Sequence, residues 1–95
     1  MPHGIVHFFE GATKEQYDAT LRAVHPGAGL PEGQIFHAAG PTEGGWVVVA
    51  IHDSEESWNR FLHQTLLPRM ASGIEGGVTG PPEERTFDVQ NHVTA

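Results

Sequence analysis

Apolar residues follow two different spacings along this chain, and the clearest strand lies near its centre. The segment Trp46 to His52, WVVVAIH, is rich in β-branched and aromatic residues, which favour a pleated strand. Nearly every position is apolar, which indicates that both faces of the strand are covered. Alternation puts Val47, Val49 and Ile51 on one face and Trp46, Val48, Ala50 and His52 on the other. The second set combines a Trp and a His with small residues, which is typical of a cavity lining.

A helix is predicted directly after this strand. Either Asp53 or Ser54 can accept a hydrogen bond from a free amide of the first turn, and Asp53 and Glu56 have the spacing of a capping box. Pro68 is expected to kink or shorten this helix, because proline lacks an N–H and clashes with the preceding turn. Spacings of three and four residues place one apolar stripe on Trp58, Phe61, Leu62, Thr65 and Leu66.

The remaining segments add three strands and one helix. Alternating apolar residues predict strands over 3–9, 34–39 and 84–93. Thr13 and Gln16 form a second capping box, and they open a helix whose apolar face carries Tyr17, Leu21 and Val24. Glycine and proline predict a hairpin loop over 40–45 and a loop without periodicity over 73–82.

The element order is therefore βαββαβ, which predicts one α+β domain over residues 1–95. A right-handed crossover with the third strand between the first two gives an antiparallel four-stranded sheet with two helices on one face. The other face is predicted to be uncovered. It would be too apolar for water, so we expect a homodimer with the two sheets face to face. The residues assigned to this uncovered face are Ile5, Phe9, Ile35, Trp46 and Val48.

Composition narrows the classes of partner. The formal net charge is −7 with only five basic residues, which argues against binding nucleic acid. The chain has no cysteine, which excludes disulfides and thiolate metal sites and fits a reducing compartment, so a cytoplasmic location is expected. We expect no signal peptide and no association with a membrane, because no apolar stretch is long enough to span one.

The segment VVVAIHDSEESWNRFL, a strand that runs into a Ser-Glu-Glu helix start, resembles the dimeric α+β barrel superfamily. This ferredoxin-like group includes antibiotic-biosynthesis-type monooxygenases, small polyketide cyclases and stress-responsive barrel proteins. The resemblance covers about Val6 to Val89 and implies the fold more strongly than the reaction. Monooxygenases of the group often have a histidine where Phe61 aligns, and the heme-degrading members have an iron-ligating histidine near Ala71. Neither is present, so the resemblance implies no heme and we expect no cofactor.

Three histidines are predicted to share the cavity-lining face. If the 40–45 loop closes symmetrically, His37 lies opposite Val48, and the antiparallel first strand brings His7 to the other side of Val48. His7 and His37 would then be about 10 Å apart across two strand spacings, close enough to reach one small molecule. His52 lies farther along the same strand face, and Gln90 on the last strand could add a hydrogen bond.

These residues support a proton-handling site in an apolar pocket. In this hypothesis His7, His37 and His52 are catalytic, and the ligand contacts Trp46, Val48, Ile35 and Gln90. The sequence has no HxH or HExxH spacing, so no metal site is predicted. The alternative for each histidine is a structural hydrogen bond within the protein or at the dimer interface.

Two functions remain open at this point. The first is a small cofactor-independent enzyme that acts on an apolar, aromatic or polyketide-like molecule, by oxygenation or by proton-transfer isomerisation or cyclisation. The second is a ligand-binding or stress-response barrel without catalysis. An enzyme should have a roomy cavity with unsatisfied histidines, whereas a structural barrel should be packed shut with every imidazole hydrogen-bonded internally.

Overall fold

Four strands and a helical layer follow each other in the predicted order. The computed structural model describes residues 1–25, 27 and 29–94. A five-residue π-helical turn, Leu62–Leu66, separates the second and third helices. The elements are β1 His3–Glu10, α1 Lys14–Val24, β2 Gln34–Thr42, β3 Gly45–His52, α2 Glu55–Phe61, α3 Leu67–Ser72 and β4 Glu83–Asp88.

The sheet has the order β2-β3-β1-β4, and all neighbouring strands are antiparallel. The predicted register between β1 and β3 is confirmed, since His7 pairs with Val48. The predicted register between β2 and β3 is wrong by two residues, and His37 pairs with Ala50. β2 continues to Thr42, so only Glu43 and Gly44 form the turn, which Gly44 allows by adopting φ 85°. A shift of two residues leaves His37 on the predicted face.

The helices cover the opposite face of the sheet from the one expected. Trp46 and Ile5, which were assigned to an uncovered face, are only 8% and 2% exposed. Their face is covered because aromatic rings of the helices pack against the rings of this face. Tyr17 of α1 lies 5.3 Å from Trp46 between ring centroids, and Trp58 of α2 lies 5.5 Å from His52.

The face left open is aliphatic and aromatic. It carries the residues that alternate with the covered ones, and Phe36 and Phe87 on it are 38% and 46% exposed. Two of its charged residues, Glu83 and Arg85, lie on the edge strand β4, and a third, Glu10, is the last residue of β1. The middle of this open face is formed by Val6, Phe8, Val47 and Val49.

The helix after β3 is interrupted close to the predicted place. Ser54 is its N-cap and accepts a hydrogen bond from the Ser57 N–H. The chain then widens into the π-helical turn, in which the Leu67 N–H donates to the Leu62 carbonyl. Pro68 lies in the first turn of α3, directly after the π-helical turn. π-Helical turns often accompany functional sites, and Leu66 in this one faces a cavity.

The segment 73–82 contains neither helix nor strand, as predicted. It folds back over α1, where the Val78 N–H donates to Thr20 Oγ1 at 3.1 Å. Within the part of the chain that the structure describes, no helix is long and apolar enough to cross a membrane.

Candidate functional site

A cavity of about 80 Å³ lies between the sheet and the helical layer. Both layers supply polar groups, and most of the lining is apolar. From β1, β2 and β3 the lining residues are Ile5, His7, Phe9, Gln34, His37, Val48 and Ala50. From the helical layer and the loops they are Tyr17, Thr20, Leu21, Val24, His25, Trp58, Phe61, Leu66 and Val78.

A wider hollow of about 560 Å³ adjoins this inner cavity. It lies between α3, the 78–82 segment and the β4 edge, and Met70 and Glu84 are among its lining residues. The two spaces share His7, Phe9, Thr20, Leu66 and Val78, so they lie side by side, and we call them the inner and the outer part of the site.

His7 stands where the inner and outer parts meet. Its Nε2 lies 2.7 Å from Glu84 Oε2, and its ring is only 8% exposed. Trp58 and Phe9 pack against the ring edge-on, with centroid distances of 5.8 and 6.0 Å. The carboxylate can only accept, so Nε2 carries the proton. No hydrogen bond from the described residues reaches the other ring nitrogen, Nδ1, which keeps a free lone pair when His7 is neutral.

His37 and His52 belong to a run of hydrogen bonds that we call the Gln34 chain: Tyr17, His37, Gln34, His52 and Ser57. The Tyr17 hydroxyl lies 2.6 Å from His37 Nε2, and His37 Nδ1 lies 3.0 Å from Gln34 Oε1. Gln34 Nε2 is 3.2 Å from His52 Nε2, and His52 Nδ1 is 3.0 Å from Ser57 Oγ. Both ring nitrogens of both histidines are therefore satisfied within the protein.

The position of Ser57 at the end of this chain depends on a glycine. Gly33 has φ 86°, and a Cβ there would overlap Ser57 Oγ. The Gly33 carbonyl also accepts a 2.8 Å hydrogen bond from the Asp53 N–H. Glycine is therefore required both by the backbone angle and by the close approach of the serine.

The surroundings keep this region uncharged near neutral pH. Burial lowers the pKa of His37 and of His52 and raises the pKa of the Tyr17 phenol. His25, whose ring centroid lies 5.1 Å from that of His37, has its pKa lowered to about 4, first by burial and then by the neighbouring histidines. Neutral imidazoles can accept protons or hydrogen bonds, whereas imidazolium groups cannot.

The structure separates five of the predicted site residues into three groups. His7, His37 and Val48 line the inner cavity. His52 is completely buried and contacts the lining residues Gln34, Trp58 and Phe61 instead of lining the cavity itself. Trp46 packs on Tyr17 and lines a separate surface hollow instead of the inner cavity.

Ile35 and Gln90, which were predicted to contact the ligand, lie outside both parts of the site. An irregularity in β2 between Gln34 and Phe36 breaks the alternation, so Gln34 turns inward and Ile35 is 48% exposed. Gln90 is exposed because β4 ends at Asp88, well before the predicted end of the strand, and its amide contacts Met1 Sδ at 3.7 Å.

Four further residues of the site were missed from the sequence: Tyr17, His25, Gln34 and Glu84. Tyr17 was assigned only to the apolar face of its helix, and no role was predicted for His25. Gln34 is the first residue of its strand, where polar residues are common. Glu84 could have been found, because β4 pairs it directly with His7.

Among the described residues, no three His, Asp or Glu side chains lie close enough to hold a metal ion together.

Comparison with known proteins supports the fold. No family model and no curated protein matches the chain. A solved structure of a proposed antibiotic biosynthesis monooxygenase from Chloroflexus aurantiacus J-10-fl matches with a TM-score of 0.64 and 19% identity, covering 98% of each chain. A variant of SnoaB, a cofactor-independent oxygenase from Streptomyces nogalater, matches with a TM-score of 0.61 and 15% identity, covering 99% of this chain and 97% of the other. This chain therefore shares the ferredoxin-like α+β fold of these two structures, a four-stranded antiparallel sheet with helices on one face.

Proposed function

We propose that the protein is a cofactor-independent enzyme that oxygenates an apolar aromatic molecule, with His7 as its general base. The observation that carries this proposal is the His7–Glu84 pair, 2.7 Å apart, at the junction of an apolar cavity and a wider hollow. A carboxylate that holds one imidazole nitrogen orients the other as a base and stabilises the imidazolium that forms. The similarity to a cofactor-independent oxygenase favours oxygenation among the reactions that start with proton removal.

The proposed reaction needs only the substrate, dioxygen and this base. His7 Nδ1 removes a proton from an acidic CH₂ group, and the carbanion transfers an electron to dioxygen. The two radicals combine into a peroxide anion, which recovers the proton from His7. Loss of water then leaves a carbonyl, so that CH₂ and O₂ become C=O and H₂O. The electrons come from the substrate, which must therefore form a stabilised, electron-rich anion.

The dimensions of the site support an aromatic substrate that occupies both of its parts. The inner cavity of about 80 Å³ is smaller than ordinary ligand pockets, which measure roughly 300–1,000 Å³. The outer hollow of about 560 Å³ can hold the rest of a multi-ring molecule. Trp58 and Phe9, which pack against the edges of His7, offer aromatic surface next to the base.

Replacing His7 with Gln tests the proposal. Consumption of dioxygen with hydroxylated polycyclic aromatics that carry a benzylic CH₂ should fall by roughly 10² to 10⁴, the usual share of general acid/base catalysis. Glu84→Gln should also lose activity, because the amide no longer stabilises a charged imidazole. His63→Gln, at an exposed position of the π-helical turn, is the control and should keep full activity. Retained activity in the His7 variant would refute the role of this residue.

A ligand-binding barrel without catalysis is the second candidate. It is favoured by one observation: both nitrogens of His37 and of His52 are satisfied internally, as a structural role predicts. Binding of aromatic ligands with no dioxygen consumption under any condition would support this candidate.

We also propose that two copies of the chain associate through the open face of the sheet. The centre of this face is apolar, and its charged residues lie at the margins: Glu83 and Arg85 on the edge strand and Glu10 at the end of β1. An apolar centre with a polar rim is the usual pattern of a protein interface. Two such faces can pack about 10 Å apart around a twofold axis, and each copy keeps its own site on the covered face.

A further inference from the structure

The Gln34 chain contains one group whose two ends differ chemically. The side-chain amide of Gln34 has an oxygen that only accepts and a nitrogen that only donates. The oxygen lies 3.0 Å from His37 Nδ1, and the nitrogen lies 3.2 Å from His52 Nε2. The amide therefore requires a donor N–H from His37 and an acceptor nitrogen from His52.

The tautomers of both histidines follow from this arrangement. His37 must carry its proton on Nδ1, because the amide oxygen can only accept. His52 must leave Nε2 bare, because the amide nitrogen can only donate, so its proton is on Nδ1 and is donated to Ser57 Oγ at 3.0 Å. Both imidazoles are then neutral Nδ1–H tautomers. Each hydrogen bond of the Gln34 chain then has one donor and one acceptor.

Tyr17 is the end of the Gln34 chain that lines the inner cavity, and its hydroxyl is oriented by His37. His37 Nε2 is bare, so it accepts the proton of the Tyr17 hydroxyl at 2.6 Å. The Tyr17 hydroxyl therefore donates its only proton to His37. Its oxygen can still accept a hydrogen bond from another donor. Tyr17 lines the inner cavity, where the neighbouring residues on its own helix, Leu21 and Val24, are apolar.

We propose that Gln34 fixes the direction of this chain and that the Tyr17 oxygen thereby selects ligands that carry a hydroxyl group. For an aromatic ligand this group is a phenol. An ether or carbonyl oxygen at the same place would meet a lone pair instead of a donor. That phenols are the substrates rests on the proposed function. The direction of the hydrogen bonds does not, because it follows from the geometry of the five side chains alone.

Long-range ¹H–¹⁵N spectra of the imidazoles test the direction without any substrate. In the natural protein, both His37 and His52 should be neutral Nδ1–H tautomers at pH 7. In Gln34→Glu, the carboxylate accepts from both rings, so His52 should change to the Nε2–H form while His37 keeps Nδ1–H. Opposite tautomers, or two Nε2–H forms, in the natural protein would overturn the proposal whether or not the variant folds.

The choice of ligand is tested with phenol and anisole, which have the same ring but differ in the hydrogen-bond donor. Phenol should bind roughly twofold to tenfold more tightly than anisole, the worth of one hydrogen bond. Tyr17→Phe should abolish the preference, and His63→Gln should retain it. Equal affinities, a preference that survives in Tyr17→Phe, or no binding of phenol at millimolar concentration would each overturn the proposal. Neither test requires turnover, so a protein that passes both and consumes no dioxygen disproves the proposed reaction and not this inference.

Discussion

The two faces of the sheet differ in a way that reverses the usual relation between polarity and burial. The face under the helices carries His3, His7, His37 and His52, whereas the open face carries mainly Val and Phe. Buried polar groups are costly unless they are hydrogen-bonded, and the Gln34 chain and Glu84 supply such bonds to three of the four histidines. A site built inside a small core can therefore make the covered face the more polar one.

The two faces also have different requirements for stability. The covered face depends on partners from other elements, such as Tyr17 and Trp58 of the helices. On the open face, Phe36 packs against His92 of the C-terminal segment, with 6.1 Å between ring centroids, but Phe87 remains 46% exposed. The stability of this face in water therefore depends on what covers the rest of it. Neighbouring residues of β3, Ala50 on the covered face and Val49 on the open one, allow each requirement to be tested separately.

The largest effect is expected on the covered face. Ala50→Asp places a carboxylate at a position that is 6% exposed and lines the apolar inner cavity. An unpaired buried charge costs several kcal/mol, a large part of the roughly 5–15 kcal/mol that stabilises an ordinary domain. We expect an unfolded or severely destabilised protein by circular dichroism and urea titration. A variant with nearly unchanged stability would show that this face is not the core.

The same charge on the open face should act on association instead. Val49→Asp should keep the circular dichroism spectrum of the fold and raise the dissociation constant of the proposed dimer by roughly 100-fold or more, since each 1.4 kcal/mol is a factor of ten. Sedimentation equilibrium measures this shift directly. Val49→Ala is the control and should have a much smaller effect. A natural protein that is monomeric at micromolar concentration would contradict the proposed dimer.

The division of the sheet into two faces could be predicted from the sequence, but not which face the helices cover. Alternation correctly divided β1 and β3 into two sets of side chains, because the period of a strand is fixed at two. It could not decide which set meets the helices, because both sets are largely apolar. That choice depends on contacts such as Tyr17 with Trp46, which join residues far apart in the chain.

The site was predicted in part for the same reason. His7, His37 and Val48 were assigned to one face and do line the cavity. The positions of Ile35 and Gln90 depend on an irregular β2 and on the early end of β4, and neither feature has a periodic signal in the sequence. The Gln34 chain escaped prediction because it joins four separate elements or loops through side chains.

The covered face should also make stability depend on pH. The pKa of His25 is lowered to about 4, and those of His37 and His52 are lowered as well, so the folded state favours neutral rings. The unfolded state takes up protons first as the pH falls below about 6.5, and the free energy of unfolding should therefore decrease from pH 7 towards pH 4. His25→Asn should make this decrease shallower in urea titrations at pH 7, 6 and 5. His63→Asn is the matched control, and an equal change in both variants would refute the assignment to His25.

The smallest effect is expected where the sequence placed a ligand contact and the structure places a surface residue. Ile35 is 48% exposed and lies at the irregularity of β2, so Ile35→Thr removes little buried area and keeps a β-branched side chain. Its stability should change by no more than about 0.5 kcal/mol, as is usual for surface substitutions. Affinity for phenol should be unchanged, because Gln34 and not Ile35 turns towards the cavity. Val48→Thr is the contrast, since it introduces a hydroxyl of similar size into the cavity wall and should lower both stability and affinity. If Ile35→Thr weakened phenol binding as much as Val48→Thr did, β2 would follow the regular alternation in solution, and the inward position of Gln34 would have to be abandoned.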